Sequence, residues 1–95
     1  MIIEEKEQFI EIDIKLSDGT IIGRAEIEPN NKMLERYEIF KPYQDKGYGQ
    51  QVLLGLIDKY DIDKLWVRSD NDKAIHIYEK CGFWKYKETM MEMRR

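Results

Sequence analysis

The strongest constraint on this chain is a change of hydrophobic period at residues 42–49. Before that point apolar residues recur every second position. After it they recur about every 3.6. Residues 9–16 alternate, with Ile10, Ile12, Ile14 and Leu16 on one face and Glu11, Asp13 and Lys15 on the other, the pattern of a half-buried strand. Ser17-Asp18-Gly19 reads as a tight turn. Residues 20–28 form a second strand, with Ile21, Gly23, Ala25 and Ile27 in phase, and Pro29-Asn30-Asn31 breaks it. A third strand covers residues 33–41, and the short links make the three an antiparallel meander.

Beyond the switch, Tyr48, Val52, Leu53, Leu56, Ile57 and Tyr60 make one helical stripe. Gly55 interrupts that helix, as expected if close packing on the sheet required it. Residues 64–69 read as a strand around Leu65, Trp66 and Val67. Asp70 and Asn71 are suitable N-caps for a second helix striped by Ala74, Ile77, Tyr78 and Cys81, and Gly82 ends it. A last strand or hairpin spans residues 83–93. The order βββαβαβ predicts one α/β domain over residues 1–95, with a mixed sheet whose third and fourth strands are parallel.

Composition removes several function classes. The 95 residues allow one domain with a small core. The net charge is −3, and the only basic cluster is Arg94-Arg95, so nucleic acid is not expected as the partner. No stretch approaches the roughly 20 apolar residues of a membrane span. Residues 1–7 carry three glutamates and do not read as a signal peptide, which makes a cytoplasmic location the expectation. One histidine and one cysteine cannot assemble a soft-ligand metal cluster, so no metal is expected.

The segment Gln44-Asp45-Lys46-Gly47-Tyr48-Gly49-Gln50 sits between a strand and a helix. The first turn of a helix has main-chain N–H groups without partners of their own, and glycines let an anion approach them. Such a junction binds phosphate, and Lys46 adds positive charge. It is not a Walker loop, because Lys46 precedes the glycine. It is not a dinucleotide fingerprint, because Val52 stands where a third glycine belongs.

Gln44-x-x-Gly47-x-Gly49 resembles the Gln/Arg-x-x-Gly-x-Gly/Ala signature of the GNAT family of N-acetyltransferases. Asn71-x-x-Ala74-x-x-x-Tyr78-x-Lys80-x-Gly82-Phe83 is similar to a second segment of that family. The resemblance implies that acetyl-CoA is the co-substrate and an amine of unknown identity the acceptor. It implies a bulge near residues 39–41 and a V between the third and fourth strands. The pantetheine arm would add to the main chain of Ile39, Phe40 and Lys41, and the diphosphate would sit on the amides of residues 45–50. Asn71 would touch the pantetheine. Tyr78 would point at the thioester sulfur and protonate the departing thiolate, and Glu38 would take the proton from the amine.

Plainer roles compete. Tyr78 fits core packing, Asn71 a helix cap, Glu38 a solvated strand position and His76 a surface position. Cys81, Trp66 and Trp84 read as core. The family's N-terminal helices have no counterpart before the first strand. An apolar surface left by them would favour a homodimer, and a non-catalytic acetyl-CoA-binding or interaction module is the alternative function. Asp45 stands where glycine is common in the family, which places a carboxylate beside the phosphate site.

Overall fold

A computed structural model describes residues 9–93; the acidic N-terminal stretch and the Arg94-Arg95 pair lie outside the described residues. Six strands form one sheet: β1 Ile10–Lys15, β2 Ile21–Glu28, β3 Met33–Ile39, β4 Lys64–Trp66, β5 Phe83–Lys87 and β6 Met90–Met93. Their spatial order is β1-β2-β3-β4-β6-β5. All neighbours are antiparallel except β3 and β4. Helix α1, Tyr48–Tyr60, links β3 to β4, and helix α2, Asp72–Lys80, links β4 to β5. The two crossovers step the same way across the sheet, and right-handed connections therefore put both helices on one face.

That face holds the core. Leu53 and Leu56 of α1 and Tyr78 and Cys81 near the end of α2 pack with Ala25, Ile27, Leu34, Leu65 and Met91 of the sheet. The expected alternation in β1 places Ile10, Ile12 and Ile14 toward this core. The opposite face is charged. Its cross-strand rows are Asp13–Arg24–Glu38 and Glu11–Glu26–Arg36. Among the described residues these rows are charged, although Ile21, paired with Lys15 at the end of β2, is 40% exposed. Such a row keeps a single-layer face in water without cover.

Five local expectations are corrected. The bulge lies earlier than residues 39–41: β2–β3 pairing slips between Glu26↔Arg36 and Ile27↔Leu34, leaving Glu35 as the extra residue. The third strand stops at Ile39, because residues Lys41–Tyr43 curl into one 3-10 turn around Pro42. The fourth strand stops at Trp66 rather than at residue 69. Trp66 is also not core, being 46% exposed. Gly55 is exposed with nothing near it, so no close approach explains it.

The strand ends create an opening. β3 and β4 pair only at Met33↔Lys64 and Leu34↔Leu65. β3 continues five residues further, whereas the next amide after β4, Val67 N–H, donates to Thr89 O at 2.8 Å on the opposite side. The two strands part, and the V implied by the family resemblance is present.

Candidate functional site

The loop before α1 is shaped by two residues in left-handed backbone. Asp45 has φ 64° and Gly47 φ 81°. Alternation of this kind turns successive N–H groups toward one concavity. Gly47 is the N-cap and offers no side-chain cap. The main-chain N–H groups of residues 45–50 have no protein acceptor among the described residues, whereas Gln51 N–H donates to Gly47 O at 3.2 Å. Six consecutive donors, at the positive end of a helix of 13 residues, thus remain open to an anion.

The donors border a cleft of about 480 Å³ between the end of β3, this loop, the first turn of α1 and one side of α2. Of the residues singled out in the sequence, Glu38, Ile39, Gln44, Asp45, Gly47, Gly49, Gln50, Asn71 and Tyr78 line it. Phe40, Lys41, Lys46 and Tyr48 do not. Phe40 N–H donates to Ile22 O at 2.8 Å and so belongs to the sheet. The open side of Ile39 is also engaged, since its carbonyl accepts the Gln44 side-chain amide at 2.7 Å. A Cβ built on Gly49 would reach Ile77 Cδ1 of the facing helix at 3.4 Å, so glycine here keeps the cleft wide rather than relieving a clash.

Tyr78 is 6% exposed and meets Phe83 edge-on at 6.4 Å between centroids. Its hydroxyl makes no hydrogen bond to protein among the described residues. Burial, with Cys81 nearby, pushes the phenol up to about 12, so it carries its proton at neutral pH. Asn71 is a cap: its Oδ1 accepts Ala74 N–H at 3.1 Å. That bond uses only the oxygen and leaves the amide NH2 as a donor. Glu38 is exposed on the strand phase opposite to Tyr37 and Ile39, on the side of the charged face.

Two cleft residues escaped the sequence reading. Tyr37 donates from its hydroxyl to Gly49 O at 2.7 Å, tying β3 to the first turn of α1. Its burial raises its pKa, helped by Tyr78. Its place in the third strand carried no sign of that bond. Lys73, in the first turn of α2, pairs with Asp45 at 2.6 Å. Its contact spans 28 residues of chain and left no local pattern. Among the described residues no group of three His, Cys, Asp or Glu side chains is placed to hold a metal.

Comparison with known proteins bears on the family and the fold. A family model described as the acetyltransferase (GNAT) family matches residues 3–83. Among solved structures, a spermidine N-acetyltransferase chimera from Vibrio cholerae and hSSAT superposes with TM-score 0.69 at 25% identity, over 83% of this chain and 56% of its own. Spermidine N-acetyltransferase from Vibrio cholerae in complex with CoA and spermine gives TM-score 0.69 at 24% identity, over 83% and 53%. PaiA N-acetyltransferase from Thermoplasma acidophilum in complex with coenzyme A gives TM-score 0.69 at 23% identity, over 92% and 61%. The chain thus spans a little over half the length of these structures. No curated protein sequence matches it. With a family model covering most of its length and the same fold in these enzymes, the chain belongs to the GNAT acetyltransferase family.

Proposed function

We propose that this domain holds acetyl-CoA in the cleft and transfers its acetyl group to an amine. The observation that carries the proposal is the run of six unpartnered N–H groups at residues 45–50, facing a cleft that also contains Tyr78. The residues fit the coenzyme. The amides hold the diphosphate, Gly49 leaves room beside Ile77, and the free NH2 of Asn71 donates to the pantetheine arm. When bound, the coenzyme supplies the acetyl group as an activated thioester.

The chain supplies binding and proton handling. Tyr78 is protonated and its hydroxyl is uncommitted, so it donates to the sulfur as the thiol leaves. Glu38 sits at the mouth of the V, on the charged side of the sheet, and accepts the proton that the attacking amine must lose. The acceptor therefore enters from the helix-free face. The spermidine acetyltransferases among the structural neighbours support an amine acceptor as a class. Cytoplasmic acetyl-CoA would serve such an enzyme, and no described helix is long and apolar enough to cross a membrane. Pairing of two copies would use the edge strands β1 or β5, because the helix-free face is charged.

Amide shift mapping during titration with acetyl-CoA tests the site: large shifts are expected at residues 45–50 and at Asn71. Shifts confined to other residues would remove the cleft from coenzyme binding. Thiol release with a panel of amines tests transfer. Binding without thiol release selects the second reading, a coenzyme-binding module.

A further inference from the structure

The proposed coenzyme site contains a carboxylate where an anion must dock, and the structure places a cation from another element against it. Asp45 lies in the run of free amides, and its carboxylate Oδ1 is 2.6 Å from Lys73 Nζ. The same ammonium donates to Gln44 Oε1 at 3.5 Å, while Gln44 Nε2 donates to Ile39 O at 2.7 Å. Lys73, Gln44 and Asp45 thus link α2 to the loop and to the end of β3 across the cleft. His76 and Lys80 line the same cleft but make no contact with the loop among the described residues.

We propose that Lys73 is a coenzyme-binding residue that meets the diphosphate, and that Asp45 holds it beside the cradle until the coenzyme displaces the carboxylate. This rests on the reading of the cleft as a coenzyme site. The ion pair is solvated, with side-chain exposures of 53% for Lys73 and 76% for Asp45, and pairs of that kind contribute little to stability. Lys73 gives the pair up cheaply. A diphosphate already seated on main-chain donors offers the ammonium more negative charge and more acceptor oxygens than one carboxylate does. Asp45 therefore costs affinity in proportion to how firmly it retains Lys73. Its left-handed backbone is one that asparagine also adopts readily, so the carboxylate can be removed without changing the loop.

Calorimetric titration with CoA, dephospho-CoA and pantetheine tests this on the intact chain. Lys73→Ala should weaken CoA and dephospho-CoA alike, on the order of tenfold for one charge-assisted contact, and leave pantetheine unchanged. Lys73→Arg should restore most of the loss. Asp45→Asn should tighten both diphosphate ligands severalfold, and the part of this gain that comes from releasing Lys73 should be lost in the Lys73→Ala background, leaving a smaller gain. The dependence of affinity on salt should flatten in Lys73→Ala. If Lys73→Ala weakens CoA but not dephospho-CoA, the lysine meets the 3′-phosphate and the assignment is wrong. If wild type binds CoA and neither variant changes it, the role of Lys73 is lost while the site stands. If wild type with a native circular dichroism spectrum binds none of the three, the coenzyme reading itself falls and this inference with it.

Discussion

Tyr78 and Asn71 each hold a structural place and a free polar group, and the two roles can be separated by substitution. The Tyr78 ring packs in the core while its hydroxyl has no protein partner. Tyr78→Phe should therefore leave stability at neutral pH almost unchanged and slow acetyl transfer far more than it weakens acetyl-CoA binding. Steady-state kinetics beside calorimetry checks both halves. The same substitution has a signature in alkali. The phenol ionises at 10.0 when unfolded and is pushed up to about 12 when folded, so the folded state binds the extra proton between those values. Stability from this group is complete below pH 10 and is lost as pH rises toward 12, on the order of 3 kcal/mol in all. Urea midpoints of Tyr78→Phe should fall less steeply across that window than those of wild type. At Asn71, replacement by aspartate keeps the cap oxygen for Ala74 N–H but deletes the amide donor. Thermal stability should stay within about 0.5 kcal/mol of wild type, while affinity for acetyl-CoA falls. Equal affinities would leave Asn71 as a cap alone.

At the level of the elements, the helices show where pattern reading works and where it fails. The stripe from Tyr48 to Tyr60 was legible because one face of α1 must meet the sheet, and Leu53 and Leu56 do so. Gly55 invites a packing explanation, yet it lies on the outer face with open space around it. Gly55→Ala should then stabilise the domain by about 0.5–1 kcal/mol, since alanine lowers the entropy lost on folding and meets no neighbour. A denaturant midpoint that fell instead would mean a hidden constraint on the α1 backbone. The strands follow the same rule. Alternation located β1, β2 and the start of β3, where one face is core and the other water. It could not locate the end of β4, because the run from Leu65 to Val67 is apolar whether or not a neighbour is present to pair with. Trp66 shows the cost: hydrophobic by type, it stands half exposed beside the opening of the V. The candidate site was legible only in its local part. The glycines and the free amides follow from the sequence around residues 44–50. Lys73 and Tyr37 reach that loop from other elements, and nothing in their own neighbourhoods in sequence marks the contact.

Across the whole molecule, the far side of the meander sets the shape of the cleft through a single close approach. Gly23 in β2 faces Ile39 in β3, and a Cβ there would collide with Glu38 O and lie 3.2 Å from Ile39 Cα. Both neighbours are backbone and cannot rotate aside. β3 must move away from β2, and it can move only toward the V. Glu38 and Ile39 would travel with it, and Ile39 O would leave the Gln44 amide that now fixes the loop. Gly23→Ala should thus cost about 1–3 kcal/mol, the usual range for overpacking a filled site. It should also weaken acetyl-CoA binding, although residue 23 does not line the cleft. The two effects can be told apart from simple unfolding. Below the melting transition the variant should keep its helical circular dichroism, and amide shifts should cluster at residues 38–50 rather than across α2. A variant equally destabilised by Ile27→Val, deep in the core under both helices, should bind the coenzyme normally once folded. If Gly23→Ala and Ile27→Val lose affinity to the same degree at matched stability, β3 does not transmit a displacement, and the cleft depends on the meander only for being folded at all.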